Sequence, residues 1–346
     1  MTTSPPPAAS GSDVAPVAFS AVVATRTGDT VKTAVTALTL DDLPGGDVLI
    51  RVDWSAVNYK DGMVTRPGNR VARINPLIPG VDLVGTVVNS GDPSVTAGQE
   101  VIVHGYDLGV AHHGGFAQLA RVPAGWVVPL PDGLSPRRAA TFGTAGFTAA
   151  LSLSRLEHHG LRPGDGPVVV TGATGGVGSM AVSLFAARGY EVVASTGRMG
   201  ERPYLLGLGA ADVIDRDDLH RAPERTLGPE RWAGAVDCVG GATLSALLRT
   251  LRYGAAVAAS GLTGGNTFES SVYPFIVRNA SLIGIDTVQT PIAERRDVWD
   301  RMATAFPSEQ LDRIVESEVT LDGVAPALDA IFLGRVRGRV LVRPGG

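Results

Sequence analysis

The stretch Val168-Val169-Val170-Thr171-Gly172-Ala173-Thr174-Gly175-Gly176-Val177-Gly178 decides how the rest of the chain is read. Three consecutive valines suit a strand buried on both faces. The glycines that follow let the backbone turn sharply, and Val177, Ala181, Leu184 and Phe185 then recur at helical spacing in a stripe that runs toward Arg188. A glycine-rich turn between strand and helix offers free N–H groups and the positive end of the helix dipole to an anion. It is the arrangement that receives the pyrophosphate of a dinucleotide. The spacing is G-x-x-G-x-x-G at 172, 175 and 178, with Gly176 extra, so its weight comes from its place between strand and helix. The competing reading is a tight turn that binds nothing.

Outward from this turn the chain alternates. Glu191-Val192-Val193-Ala194 reads as a second strand, Val213-Ile214 as a third, Ala235-Val236-Asp237-Cys238 as a fourth and Ala255-Ala256-Val257-Ala258-Ala259 as a fifth. Ser281-Leu282-Ile283-Gly284-Ile285 makes a sixth, and helices are expected over 201–208 and 242–252. Such alternation predicts an α/β fold, a doubly wound parallel Rossmann sheet covered by helices on both faces. Residues 19–131 read differently, as short strands between Gly, Pro and Asp turns, among them 48–52, 83–88, 100–103 and 126–128. Beyond residue 290, helices over 292–305 and 324–333 precede a last strand at 340–342. The expected organisation is a disordered tail over 1–18, a mostly β, distorted-barrel catalytic domain over 19–143 and 289–346, and a Rossmann domain over 144–288 inserted within it.

Composition bounds the function. The 346 residues are 44% hydrophobic and 18% charged, which suits two globular domains. A net charge of −4 gives no electrostatic footprint for nucleic acid. No apolar run reaches the roughly 18–20 residues that span a bilayer. The start of the chain lacks the basic and apolar pattern of a signal peptide. Cys238 is the only cysteine, so no disulfide framework and no two-thiolate zinc site can form, and it reads as a small buried residue, not a nucleophile. A cytoplasmic protein is expected. Of 30 basic residues only Lys32 and Lys60 are lysines, which draws notice to Lys60.

The second strand ends in Ser195-Thr196-Gly197-Arg198, where an NAD site usually carries a carboxylate for the ribose 2′-hydroxyl. Two hydroxyls and a guanidinium suit a 2′-phosphate instead, so NADPH is the expected cofactor. An ordinary solvated arginine is the alternative. Thr174, Gly175, Gly176 and Val177 would meet the pyrophosphate, and Thr196, Gly197, Arg198 and Arg216 the adenosine end. Ser260, Gly261 and Leu262, with the strand end at residues 237–240, would line the crevice at the carboxyl edge of the sheet.

A β domain, an inserted Rossmann unit and a return strand resemble the medium-chain dehydrogenase/reductase superfamily, over nearly the whole chain after residue 19. Zinc alcohol dehydrogenases of that superfamily carry a Cys-containing ligand motif where this chain has Asn58-Tyr59-Lys60-Asp61, and Gly-His-Glu where it has Gly80-Val81-Asp82. The resemblance therefore implies no metal. Asn58-Tyr59-Lys60-Asp61 with Pro79-Gly80-Val81-Asp82 is similar to the zinc-free quinone oxidoreductase branch, and within it to the acrylyl-CoA reductase family. The supporting stretches are His112-His113-Gly114-Gly115-Phe116-Ala117, Gly143-Thr144-Ala145-Gly146-Phe147-Thr148-Ala149, Arg231-Trp232-Ala233-Gly234-Ala235-Val236-Asp237 and Pro274-Phe275-Ile276-Val277-Arg278-Asn279. One departure, Asp107 in a Gly105-Tyr106-Asp107-Leu108-Gly109 run where Gly-Trp-Gly-Val-Gly is expected, bears on substrate fit.

What the resemblance implies is NADPH-dependent reduction of the C=C bond of acrylyl-CoA to give propionyl-CoA. Ile276, Thr287 and Arg339 complete the expected cofactor set, and a homodimer paired through residues 281–285 is expected. Reducing an unsaturated thioester requires a donor to the thioester oxygen and a proton source. Tyr59 is the expected donor to substrate or cofactor, Lys60 its support or that of Asp61 or a phosphate, and Asn58 an amide contact to cofactor or substrate. A packing tyrosine at a strand end is the bland alternative. His112-His113 reads as a loop near the cleft and His158-His159 as a solvated helix end. Arg66, Arg70 and Arg73 form a basic loop, either facing coenzyme A phosphates or simply solvated. Reduction of quinones or other activated alkenes needs the same cofactor site, and a non-catalytic NADPH-binding sensor or structural protein is a third reading.

Overall fold

The computed structural model describes residues 18–68, 70–220, 226–306 and 308–346. The expected tail lies outside the described residues except for Ala18, which already opens a strand. Strands β1 (Ala18–Thr27) and β2 (Thr30–Thr39) form an antiparallel hairpin. β1 buries Phe19, Ala21, Val22 and Ala24 against the rest of the domain.

There follow β3 (Val48–Ala56), the short helix α1 (Tyr59–Val64), β4 (Asp82–Ser90), β5 (Glu100–His104), β6 (Leu119–Val122) and β7 (Val128–Pro129). Helix α2 (Pro136–His158) then carries the chain to the second sheet; Ser135 caps it, accepting the Arg138 N–H, and Pro136 opens it. The helix end expected at His158-His159 is where α2 stops, but its start and its length are not in the sequence-based expectation. It is broken at Gly143, whose φ of 47° and ψ of −153° leave the helical region, so it is two helices end to end.

The second sheet is built from β8 (Val168–Val170), α3 (Gly176–Ala187), β9 (Val192–Thr196), α4 (Arg202–Gly207), β10 (Asp212–Asp215), α5 (Arg216–His220), β11 (Trp232–Asp237), α6 (Gly241–Thr250), β12 (Leu251–Ala259), α7 (Tyr273–Arg278) and β13 (Ser281–Gly284). Its order is β10-β9-β8-β11-β12-β13, every pair parallel. That order reverses direction between β8 and β11, the switch point outside which ligands of doubly wound sheets bind. The valines of β8 are fully buried, as a central parallel strand requires. Several boundaries differ from expectation, most of all between β11 and β12: the helix stops at Thr250, and β12 begins at Leu251, where Trp232 pairs with it.

Helices α8 (Ile292–Ala305) and α9 (Ser308–Ile314) return the chain to the first sheet, completed by β14 (Val315–Val319), α10 (Val324–Phe332) and β15 (Arg339–Val342). This mixed seven-stranded sheet runs β14-β15-β3-β4-β5-β7, with β6 on β3. One core joins both sheets: Phe142 and Phe147 of α2 and Trp299 and Met302 of α8 cluster with Val84 and Leu341 on one side and Val168 and Met180 on the other. Among the described residues no helix is long and apolar enough to cross a membrane.

Candidate active site

The turn after β8 is closed by its own backbone. Gly172 has φ 58°, the Gly175 N–H donates to the Gly172 carbonyl at 2.9 Å, and a Cβ on Gly178 would lie 2.3 Å from that same carbonyl oxygen. A side chain at 178 would push α3 off the turn. Helix α3 starts at Gly176 with no side-chain cap, so its first amides are left to a ligand or to solvent. Across the switch point the buried Asp237 accepts from Thr171 Oγ1 at 2.6 Å and from the Gly240 N–H at 2.8 Å, which ties the ends of β8 and β11 together. Ser260 N–H donates to the Asp237 carbonyl, Gly261 packs against the Cys238 backbone, and Leu262 follows, partly exposed. Burial pushes the Cys238 thiol up to about 12, which suits an inert residue.

At the end of β9 the Thr196 hydroxyl lies 3.5 Å from that of Thr174, and the Arg198 Nε donates to Thr174 Oγ1 at 3.2 Å. Arg216 lies over Gly197, where a Cβ would come within 2.7 Å of its Nε; the Asp217 carboxylate is 3.9 Å away. Ser195 Oγ is buried without a hydrogen-bond partner. Two guanidiniums, three hydroxyls and no carboxylate on the strand end make a donor set that fits a dinucleotide bearing a 2′-phosphate.

The residues expected to do chemistry stand at the head of α1. Tyr59 stacks on Phe332 of α10, ring centroids 5.6 Å apart and 10° from parallel. Tyr59 is thus a helix residue, not one at a strand end. Its phenol and the Lys60 ammonium, both half-buried, have no hydrogen-bond partner among the described residues. Lys60 does not hold Asp61: that carboxylate accepts the backbone N–H groups of Asn58, Gly80 and Val81 at 2.8, 3.1 and 3.0 Å.

Asn58 and Arg339, both expected to meet cofactor or substrate, are engaged within the protein. The Asn58 amide is spent inside the protein, Nδ2 donating to Asp82 Oδ2 at 2.8 Å and to the Ala56 carbonyl, Oδ1 accepting from Arg339 Nη1 at 2.9 Å. Arg339 is likewise buried, its guanidinium bound to the Thr141 and Val57 carbonyls, to Asn58 and, at 3.2 Å, to Asp82. The reason is charge compensation: a carboxylate as deep as Asp82 requires a cation and donors, and Arg339, Asn58 and Thr144 supply them. Arg339 still underlies the cofactor turn, with its Cδ 3.3 Å from where a Gly176 Cβ would stand. Ile276 is not brought to this edge either. It is 71% exposed on α7, and Arg278 two residues on bonds the Leu251 carbonyl at the opposite end of β12.

Burial pushes the Asp61 carboxyl up to about 7, with the Asp82 charge adding to it and the three backbone donors opposing it. A folded value above the unfolded one of about 4 means the proton stabilises the folded state. That stability is complete below the unfolded value and is lost as pH rises through about 7. Denaturant unfolding of the wild type should therefore weaken between about pH 4 and 7 relative to Asp61→Asn. A difference that stays flat across that range would show an Asp61 already ionised throughout it.

Zinc does not fit these residues. Asn58 and Asp82 are committed to internal hydrogen bonds, Val81 offers no ligand atom, Asp82 already has its cation, and among the described residues no group of three or more His, Cys, Asp or Glu could hold a metal. His112 and His113 are turned to other uses, Nδ1 of the first on the His113 carbonyl and Nδ1 of the second accepting the Ile78 N–H. In the basic loop, Arg66 pairs with Asp329 and lies over the Phe332 ring, Arg73 pairs with Asp107, and Arg70 stays exposed.

One part of the site has no counterpart in the sequence-based expectation. Arg295 is fully buried and forms no ion pair among the described residues; it donates to the carbonyls of His104, Thr287, Val288 and Thr290 and lies against the rings of Tyr106 and Phe147. Trp299 Nε1 donates to His104 Nε2 at 2.9 Å, and burial followed by the Arg295 charge holds His104 well below its usual range, hence neutral. This cluster fixes residues 287–290 where they leave the second sheet, with Thr287 itself buried.

A doubly wound sheet with a glycine turn at its switch point, joined to a mixed sheet whose first helix carries Tyr59, is the frame of a nucleotide-dependent oxidoreductase. Comparison with known proteins makes the assignment narrower. Residues 44–132 match the alcohol dehydrogenase GroES-like domain and residues 176–304 the zinc-binding dehydrogenase domain. The chain is 48% identical over 325 residues to YhfP of Bacillus subtilis (94% of this chain, 98% of that one), which is named as a quinone oxidoreductase and whose structure with NAD bound superposes with a TM-score of 0.92. It is 46% identical over 327 residues to acrylyl-CoA reductase AcuI of Ruegeria pomeroyi (94% and 98%). The yhdH oxidoreductase of Salmonella enterica, solved with NADP, gives a TM-score of 0.91 at 44% identity, covering 94% of this chain and 99% of that one. The chain belongs to the medium-chain dehydrogenase/reductase family, in the branch that holds these quinone oxidoreductase and acrylyl-CoA reductase relatives, and is an oxidoreductase of that family.

Proposed function

We propose that the protein uses NADPH to reduce the C=C bond of an α,β-unsaturated acyl-CoA, acrylyl-CoA to propionyl-CoA being the first choice. The observation that carries this reading is the uncommitted phenol of Tyr59, set on α1 by Phe332 at a site whose carboxylates are all engaged within the protein. NADPH, when bound, supplies two electrons as a hydride equivalent to the β-carbon. Thr174, Arg198 and Arg216 would hold its 2′-phosphate, and the first amides of α3 its pyrophosphate. Charge that develops on the thioester oxygen needs a donor, which Tyr59 offers, and the α-carbon takes a proton to balance the product. Lys60, also without a hydrogen-bond partner among the described residues, follows Tyr59 on α1.

Quinone reduction is the second reading, favoured by the likeness to YhfP. NADPH oxidation assayed with acrylyl-CoA beside a panel of quinones separates the two. Acrylyl-CoA is expected to give the higher kcat/KM, and a quinone that outperforms it would reverse the choice. Arg198→Ala is expected to weaken NADPH binding about tenfold or more while barely altering NADH, since a charge-assisted contact to phosphate is lost. Equal losses for both nucleotides would remove Arg198 from phosphate recognition.

The protein is also proposed to act in the cytoplasm as a homodimer. β13 ends the parallel sheet, and Val272, Tyr273, Ile276 and Val277 just before it are exposed, a combination that invites a second copy along the edge. Light scattering should return twice the 35.7 kDa chain mass; a monomer at micromolar concentration would contradict the pairing.

A further inference from the structure

Residues 328–339 touch both ends of the site. In α10 the Leu328 carbonyl and the Ile331 side chain pack so closely on α1 that a Cβ on Gly62 would sit 3.1 and 3.2 Å from them, and Phe332 carries the Tyr59 ring. The chain then turns across the second sheet's carboxyl edge. Gly338 N–H donates to the Thr174 carbonyl at 2.9 Å, inside the glycine turn. Arg198 reaches back to the same turn, with Nη1 on the Arg335 carbonyl at 3.3 Å and Nη2 on the Val336 carbonyl at 2.9 Å. Its Nη2 also meets the Thr174 carbonyl at 3.3 Å and its Nε the Thr174 hydroxyl.

We propose that the turn at residues 335–338 is a specificity-determining element that positions Arg198 for the 2′-phosphate and so sets the preference for NADPH over NADH. The inference rests on the NADPH reading above. Its physical basis is the kind of acceptor used. A guanidinium fixed by a carboxylate is neutralised; one fixed by three carbonyls and a hydroxyl is immobilised with its full charge and one Nη1 hydrogen unspent. Immobilising the side chain beforehand removes part of the ordering cost of binding. Arg337 of the same turn lies over the Tyr204 ring with its Nη1 3.6 Å from Glu201, three residues after Arg198, so that acid has a cation of its own. Arg216 over Gly197 adds the second cation. Arg335 and Val336 act through Arg198 by their carbonyls, so they are positioning groups.

Only glycine fits at 338, where φ is 61° and a Cβ would lie 2.0 Å from the Ile314 carbonyl oxygen. Gly338→Ala, Arg198→Ala and the double variant, made in the full chain, are therefore compared by dissociation constants for NADPH and NADH from titration calorimetry. Gly338→Ala is expected to weaken NADPH about tenfold and NADH by less than about twofold, and to add nothing in the Arg198→Ala background. Arg337→Ala should shift the same ratio, with recovery on adding Glu201→Gln, and this arm decides the matter should Gly338→Ala not fold. Equal weakening of both nucleotides, or additive losses in the double variant, overturns the proposal. Wild-type protein that binds NADH and NADPH alike defeats the cofactor reading itself. A wild-type preference abolished by Arg198→Ala but untouched by the turn variants defeats only the role of the turn.

Discussion

Arg339→Met should cost the protein about 3–5 kcal/mol of unfolding free energy, the usual result of removing one partner from a buried ion pair. The loss comes less from the missing contact than from the carboxylate left behind. Asp82 is 2% exposed and would keep only Asn58 and Thr144 as donors, with no positive charge to offset its desolvation. Adding Asp82→Asn should recover a large share of the loss, because it removes the stranded charge. Denaturant unfolding of the two single variants and the double variant measures this. A loss below about 1 kcal/mol for Arg339→Met would mean the pair is solvated in a way its burial does not indicate.

Tyr59→Phe is expected to lower kcat with acrylyl-CoA by about 10²–10³-fold, the range seen when one donor to a developing oxyanion is deleted. Because the hydroxyl bonds to nothing among the described residues, its removal should leave the unfolding midpoint where it was. Stacking on Phe332 survives the substitution, so ring placement is held constant and the test isolates the oxygen. A kcat within about threefold of wild type would take Tyr59 out of the reaction and turn attention to Lys60.

The parts of the molecule that could be read from the sequence are those whose signals are local. Val168 to Gly178 contains a strand, a turn and a helix start within one short run, and every later strand of that sheet repeats the same grammar of apolar run and helix. The cation pair at the end of β9 was legible for the same reason. The buried guanidiniums were not. In a sequence with 30 basic residues and two lysines, Arg295 and Arg339 look like any surface arginine. Their partners lie far away in the chain, His104 at 191 residues and Asp82 at 257. For Asn58 and Arg339 nothing in the sequence signals their internal bonds, because compensation of Asp82 is a tertiary demand that no spacing encodes. Helix α2 was hidden in a run of Ala, Gly and Thr whose amphipathic pattern is broken by Gly143.

The polypeptide passes between its two sheets twice, through the broken helix at Gly143 and through residues 285–291. A guanidinium grips each passage: Arg339 holds the Thr141 carbonyl, and Arg295 holds three carbonyls of the second passage. The two sheets are also tied beside the glycine turn, where Gly338 bonds Thr174 and Arg198 bonds the carbonyls of Arg335 and Val336. A swing of one half of the molecule against the other must therefore break hydrogen bonds either at a passage or at that clasp.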